Sequence, residues 1–166
     1  MNKIDNIIEA DIDKQSKISL KDSILKLIWR ESQISRAEIS RQLNLSRSTV
    51  TEIIKELLST GFVAEVGSGE SSGGRKPIVL EFQDDAKVIL GIDIGASHVS
   101  VAMTDLRGKL LFWNEKDFPV IQDAEGTYDL IYKLCDECLA SKNLGYEKLL
   151  SIGVSVPSPV DPIRPE

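Results

Sequence analysis

The sequence is poor in the residues that build metal sites, disulfide frameworks and membrane spans. It contains two cysteines, one histidine and 5% aromatic residues in 166 positions. Two cysteines are too few for a disulfide framework, and a structural zinc site needs four ligands. No apolar run approaches the ~20 residues that cross a bilayer, and the N-terminal stretch MNKIDNIIEADIDK lacks the continuous apolar core of a signal peptide. We therefore expect a reduced, cytoplasmic compartment, no metal and no cofactor.

The excess of acidic residues is confined to the second half of the chain. Residues 1–83 contain 12 basic and 12 acidic residues, whereas residues 84–166 contain 8 basic and 14 acidic ones, which accounts for the net charge of −6. Within the first half, residues 14–83 carry a net charge of +3. Only this part is electrostatically suited to a polyanion. The charge distribution therefore predicts two modules, with a short N-terminal arm over residues 1–17.

Start and stop signals in the first module predict three helices. The stretch SLKD at 19–22 is typical of a capping box and predicts a helix over about 20–31. SRAE at 35–38 is a full S-x-x-E box that opens a second helix. Asn44 stands where a tight turn needs the left-handed conformation. Ser46 then caps a third helix, which we expect to end near Gly61.

The spacing of the apolar residues favours a helix-turn-helix with its last helix in the DNA major groove. Positions 39, 43, 45, 50 and 53 are apolar and are predicted to be buried. Hydroxyl and arginine side chains on the outer face suit contacts with base edges, and arginines on the preceding helix suit phosphates. The alternative is a three-helix protein-binding bundle whose outer faces are only solvated. The candidate DNA contacts are Arg36, Arg41, Ser46, Arg47, Ser48, Thr49, Thr51 and Lys55.

A predicted hairpin after the third helix favours a winged helix-turn-helix domain over residues 18–83. FVAEVG at 62–67 and IVLEF at 78–82 alternate as strands do, and the loop GSGESSGGRKP joins them. Arg75 and Lys76 place positive charge at the far end of this loop, where a wing would meet the DNA backbone or minor groove. A Gly/Ser-rich loop with one basic pair is also compatible with a plain linker.

The sequence pattern of the second module, residues 84–166, predicts an α/β fold. The pattern predicts strands over 88–95, 98–105 and 110–115, a helix over 127–142 and a returning strand over 149–157. Cys135 and Cys138 fall on the apolar stripe of the helix, so burial in the core is favoured over a redox pair or half of a metal site. His98 is interpreted as a strand residue with a local hydrogen bond. Phe112, Trp113 and Phe118 are interpreted as packing residues and not as a stacking platform for bases.

The order of these motifs resembles the N-terminal part of the ROK family (repressors, open reading frames, kinases). The resemblance is carried by the winged helix, the GGRKP loop, the IDIGAS hairpin and the segment GVSVPSPVD. It implies that the second module is a truncated actin-like (sugar kinase/ribonuclease H-like) ATPase half-domain. It also implies a sequence-specific regulator that represses sugar-utilisation genes by binding operator DNA. A sugar or sugar-phosphate effector and a homodimer are expected for the intact family protein, through a part that this sequence lacks.

The resemblance also bears on catalysis. Family kinases carry a phosphate loop similar to Asp-x-Gly-Gly-Thr, of which this chain keeps Asp93 and Gly95, with Ser97 replacing threonine. The family's catalytic aspartate lies beyond GVSVPSPVD, so the resemblance implies a vestigial loop and no enzyme activity. Two alternatives stay open: a truncated fragment that acts only as an interaction or dominant-negative partner, and part of a ROK sugar kinase.

Overall fold

The structure, a computed structural model, describes residues 18–68 and 78–156. The chain divides into two compact units, one ending at Gln83 and the other beginning at Asp84. The predicted N-terminal arm, the loop that contains Arg75 and Lys76, and residues 157–166 lie outside the described residues. In chain order the elements are α1 (18–30), β1 (Ile34–Ser35), α2 (Arg36–Leu43), α3 (Arg47–Ser59), β2 (Val63–Ser68), β3 (Ile78–Phe82), β4 (Val88–Ile94), β5 (His98–Thr104), β6 (Leu110–Asp117), α4 (Ala124–Ala140), a 3₁₀ turn (Tyr146–Lys148) and β7 (Leu149–Ser155).

Helix α1 is present, but its predicted capping box is wrong. Ser19 already lies inside the helix, and the Ser23 hydroxyl donates a 2.8 Å hydrogen bond to the Ser19 carbonyl oxygen. A serine in a helix interior can bond the carbonyl oxygen four residues back. An S-x-x-D pattern therefore does not by itself mark the start of a helix. Ile24 and Ile28 are fully buried on the inner face of α1.

The cap of α2 is confirmed, although only half of the predicted box forms. The Ser35 hydroxyl accepts a 3.2 Å hydrogen bond from the Glu38 amide, as an N-cap should. The Glu38 carboxylate does not return to the Ser35 amide. It accepts instead from Arg41 and Gln42, at 2.7 Å and 2.8 Å. A charged guanidinium one turn away is the stronger partner for the carboxylate.

The turn between α2 and α3 has the predicted left-handed residue. Asn44 adopts φ 52° and ψ 42°, which asparagine accepts at low cost. The turn is closed twice between the same two residues: the Leu45 amide donates to the Ser40 carbonyl at 3.0 Å, and the Ser40 hydroxyl donates to the Leu45 carbonyl at 2.6 Å. Leu43 and Leu45 are only half-buried, which corrects the expectation that both lie in the core. These bonds hold the turn at the surface, so its two leucines cannot be enclosed on all sides.

The predicted hairpin is confirmed, and a third strand that was not predicted joins it. The sheet order is β1-β3-β2, with all strands antiparallel. Leu80 of β3 pairs with Ile34 of β1 on one side and with Glu65 of β2 on the other. Two residues carry too weak a pattern to be recognised as a strand, so β1 depends on β3 being in place.

The second unit is a four-stranded mixed sheet in the order β6-β5-β4-β7. Strands β4, β5 and β6 form an antiparallel meander, and β7 returns through α4 to pair in parallel with β4. A parallel pairing of this kind requires a crossover connection, which α4 supplies. All four predicted strands and the predicted helix are therefore confirmed.

Helix α4 packs on one face of the sheet, and both cysteines lie in that core. Leu134 and Cys138 are fully buried, together with Val99 and Val101 of β5. The Cys138 thiol donates a long, 3.7 Å hydrogen bond to the Val101 carbonyl oxygen. The interpretation of Cys135 and Cys138 as core residues is confirmed.

Among the described residues, no helix covers the opposite face of the sheet, and the side chains of β7 are largely exposed. Trp113 pairs with Ala102, on the face that α4 does not cover, and is 54% exposed, so its interpretation as a packing residue is wrong. Every β7 residue after Leu149 is exposed, including Ile152 and Val154. No helix in the described part of the chain is long and apolar enough to cross a membrane.

Candidate nucleic-acid interface

Helix α3 separates a buried apolar face from an exposed polar face. The buried side chains are Val50, Ile53, Ile54 and Leu57, and the predicted contact residues Arg47, Ser48, Thr51 and Lys55 are exposed. The 3.6-residue period of the helix dictates this separation. Within the described residues, neither Arg47 nor Lys55 forms an ion pair. Both cations are therefore available to an anionic ligand.

The hydroxyl groups at the start of α3 are hydrogen-bonded to one another. The Ser46 hydroxyl accepts from the Thr49 amide at 3.1 Å, and it lies 2.8 Å from the Ser48 hydroxyl and 2.7 Å from the Thr49 hydroxyl. The Thr51 hydroxyl donates to the Arg47 carbonyl at 2.7 Å. Each hydroxyl oxygen has two acceptor sites and one donor, so the Ser46 hydroxyl is fully used by its three bonds, whereas Ser48, Thr49 and Thr51 keep part of their capacity for base edges. Thr49 is half-buried, whereas Ser46 and Ser48 are exposed.

The two arginines of α2 are both engaged by carboxylates. Arg36 bonds Glu65 with 2.6 Å between Nη2 and Oε1. Arg41 bonds both carboxylate oxygens of Glu38, at 2.7 Å and 2.8 Å. The hydrogen bond from Arg41 holds the pKa of Glu38 below its ordinary value, and the same bond raises the pKa of Arg41. A DNA phosphate would have to share these guanidinium groups with the acids or displace the acids from them.

Sequence reasoning missed both acids. The i, i+3 spacing of Glu38 and Arg41 within one helix was the available signal for the first pair. No local signal exists for Glu65, which is 29 residues from Arg36 in the chain.

The hairpin that resembles a phosphate loop is occupied by a histidine. Asp93, Gly95 and Ser97 lie together at the β4–β5 turn, where the Gly95 amide donates to the His98 carbonyl at 2.9 Å. The His98 ring lies over Gly95, since a Cβ there would come within 2.2 Å of Cε1, and His98 Nε2 is 3.5 Å from an Asp93 carboxylate oxygen. The backbone carbonyl of His98 makes the local hydrogen bond, to the Gly95 amide, whereas a hydrogen bond of the His98 side chain stays a prediction. Because the ring fills the space above Gly95 and the Gly95 amide is already used, the turn offers little room for a phosphate.

Comparison with known proteins identifies relatives along most of the chain. Residues 23–64 match the winged helix-turn-helix DNA-binding family. The xylose repressor of Bacillus spizizenii (strain ATCC 23059 / NRRL B-14472 / W23) is 33% identical over 138 residues, which cover 83% of this chain and 36% of that protein. The DNA-binding transcriptional dual regulator NagC of Escherichia coli K12 is 26% identical over 141 residues, covering 84% and 34%. The crystal structure of a ROK family transcriptional regulator, a homolog of the E. coli MLC protein, superposes with a TM-score of 0.64 at 22% identity and covers 87% of this chain and 36% of that one.

This chain is similar in sequence to part of a xylose repressor and of NagC, and in fold to part of a ROK family transcriptional regulator. It spans about a third of the length of the curated relatives it matches. The likeness to the ROK regulator structure supports the fold of both units, a winged helix followed by a four-stranded mixed sheet with one packed helix. The curated relatives named here are a xylose repressor and a DNA-binding transcriptional dual regulator. The family profile places the DNA-binding fold on the unit that carries α3.

Proposed function

We propose that this chain binds operator DNA in a sequence-specific manner and acts as a repressor of sugar-utilisation genes. The DNA-binding domain is residues 18–83, and residues 84–166 are a partial actin-like domain. The observation that carries the proposal is the exposed polar face of α3, where Arg47 and Lys55 have no acidic partner among the described residues. In a chain with a net charge of −6, two unneutralised cations on one helix after a tight turn point to a polyanionic ligand.

In the proposed complex, α3 enters the major groove by its N-terminal end. The Arg47 guanidinium can bridge the O6 and N7 acceptors of a guanine, and the Ser48 hydroxyl can donate to or accept from a neighbouring base. Lys55 lies two turns further along and is suited to a phosphate. The loop with Arg75 and Lys76, which lies outside the described residues, would contact the flanking backbone or minor groove.

The sugar assignment and the regulation come from the relatives. One is named for xylose, and a homologous protein of E. coli O157:H7 is named N-acetylglucosamine repressor. We infer a sugar or sugar-phosphate effector that releases the operator, and a homodimer, for the full-length form of such a protein. The His98 ring over the vestigial phosphate loop supports a regulator over a sugar kinase, because a kinase needs that space for a nucleotide phosphate.

Selection of bound sequences from a pool of random duplexes, followed by anisotropy titrations, tests the proposal. Arg47→Ala should cost about 1–3 kcal/mol on the selected site and relax the preference for one base pair. Lys76→Ala is the matched control: it should weaken binding to every sequence and reduce the salt slope by about 0.9. Equal losses for Arg47→Ala on selected and random duplexes would contradict the placement of α3.

A second candidate function is association with a longer family member. The observation that favours it is β7, which has apolar residues Ile152 and Val154 exposed and no further strand paired beyond it among the described residues. An exposed strand edge invites pairing with another chain. Size-exclusion chromatography with the selected duplex separates the two functions, since a defined complex with DNA supports the regulator and an aggregate without DNA affinity supports association alone.

A further inference from the structure

One ion pair ties the helix-turn-helix to the strand hairpin that follows it. Arg36 is the first residue of α2, directly after β1, and Glu65 lies in β2. Strand β3 separates β1 from β2, and its residue Leu80 pairs with both Ile34 and Glu65. The Arg36 side chain therefore reaches past β3 to a strand that is not the neighbour of β1. The contact joins α2, the helix that precedes α3, to β2, the first strand of the hairpin.

The chemistry of this pair suits orientation more than stability. Nη2 of Arg36 is 2.6 Å from Oε1 of Glu65, and the side chains are 28% and 41% exposed. Partly exposed ion pairs contribute little to folding because water screens them. A guanidinium carries five N–H donors in a rigid fork, and the hydrogen bond to Glu65 uses Nη2 alone. The carboxylate can therefore hold one edge of the guanidinium while another edge stays available to a phosphate.

The second acid–arginine pair in the same helix provides a contrast. Arg41 and Glu38 are three residues apart within α2, with side chains that are 78% and 32% exposed. This pair has the same functional groups and a similar distance, 2.7 Å, but it joins no two elements of the fold. The two pairs differ in what they connect, which makes Glu38 a matched control for Glu65.

We propose that Glu65 is a positioning residue of the DNA interface, which through Arg36 fixes hairpin β2–β3 against α2 and orients the Arg36 guanidinium toward a DNA phosphate. The proposal rests on the proposed function of the chain. For the removal of Glu65 it predicts a change in DNA affinity opposite to the one that simple electrostatics predicts. Removal of a carboxylate near a polyanion should strengthen binding, because a repulsive charge is lost. Removal of Glu65 should weaken binding, because the orientation of Arg36 is lost.

The test is a double-mutant cycle on the full chain, measured by anisotropy with the selected duplex. Glu65→Ala should bind the duplex about 5-fold more weakly than wild type. This effect is at the low end of the interaction energies of coupled residue pairs, because both side chains are partly exposed. In the Arg36→Ala background the same substitution should not weaken binding further. Both single variants should lower the salt slope by about 0.9, the loss of one phosphate contact. Glu65→Gln, which keeps an acceptor oxygen, should be intermediate, and Glu38→Ala should bind as tightly as wild type or more tightly.

Circular dichroism and unfolding midpoints establish that each variant is folded before binding is compared. If Glu65→Ala is unfolded, the isosteric Glu65→Gln takes its place in the cycle with the same expected order. Binding by folded Glu65→Ala that equals or exceeds wild type would overturn the proposal, and so would an undiminished effect in the Arg36→Ala background. Failure of the proposed function is a separate result, since wild type itself would then show no preference for any duplex.

Discussion

Substitution of Ser46, the N-cap of α3, separates the folding of the recognition helix from its contact with DNA. Three hydrogen bonds meet at the Ser46 hydroxyl, from the Thr49 amide at 3.1 Å and with the hydroxyls of Ser48 and Thr49 at 2.8 Å and 2.7 Å. The two hydroxyl partners are near solvent and can bond water instead. The amide bond therefore dominates, and Ser46→Ala should cost about 1 kcal/mol of the free energy of unfolding. For a unit of this size that corresponds to a melting temperature about 4–8 °C lower.

Ser46→Asp should behave differently in the two measurements. Aspartate is as good an N-cap as serine, and its charge interacts favourably with the helix N-terminus, so stability should be kept. The same charge at the end of α3 that enters the groove would repel the DNA backbone. We expect binding to the selected duplex to weaken about tenfold or more, because like charges in an interface cost several kcal/mol.

Urea unfolding followed by the fluorescence of Trp29, in a Trp113→Phe background, reports on the first unit alone. Anisotropy titration of the same proteins reports on DNA binding. An unchanged unfolding midpoint for Ser46→Ala would refute the role of the cap. Undiminished DNA affinity for Ser46→Asp would refute the placement of the α3 N-terminus at the groove.

Two further predictions concern the second unit. Burial, with smaller effects of Cys135 and Glu137, raises the pKa of the Cys138 thiol to about 11, so at pH 8 roughly one thiol in a thousand is ionised. Iodoacetamide should modify Cys138 slowly in the native protein and rapidly in urea, and rapid native modification would contradict its place in the core. The hydrogen bond that the Tyr146 hydroxyl donates to Asp136 over 2.5 Å raises the pKa of Tyr146 to about 12. The contribution of this hydrogen bond to stability should be complete below pH 10 and lost as the pH rises through 12. Absorbance titration should show one tyrosine that ionises at higher pH than the others. Asp136→Asn should return the pKa of that tyrosine toward its ordinary value.

Local signals predicted the helices and strands well, because they depend on neighbours in the chain. The S-x-x-E pattern before α2 indicated the cap at Ser35, and the position of Asn44 indicated a left-handed turn. Alternation of apolar residues predicted β2 through β7, and helical spacing predicted α3 and α4. The capping-box pattern failed at Ser19, which lies inside α1. There its carbonyl oxygen accepts a hydrogen bond from the Ser23 hydroxyl.

Contacts between distant parts of the chain could not be predicted in this way. Trp113 ends the apolar run LLFW at 110–113, yet it lies on the face that α4 leaves uncovered. The His98 ring occupies the space beside Gly95 where a Cβ would lie, which only the folded hairpin shows. Nothing local relates Arg36 to Glu65, because β3 has to lie between their elements before the two side chains can meet.

The sequence by itself determined where this chain turns, caps and buries apolar surface, and therefore which side chains α3 presents outward. Those properties follow from steric and periodic rules that act over a few residues. The Glu38–Arg41 pair follows from i, i+3 spacing within one helix. Only the tertiary structure decided that Glu65 engages Arg36, and that Arg47 and Lys55 have no acidic partner in the described residues. The physical reason is that an ion pair requires two charges within about 4 Å, and folding, not chain order, sets that distance for residues far apart in sequence.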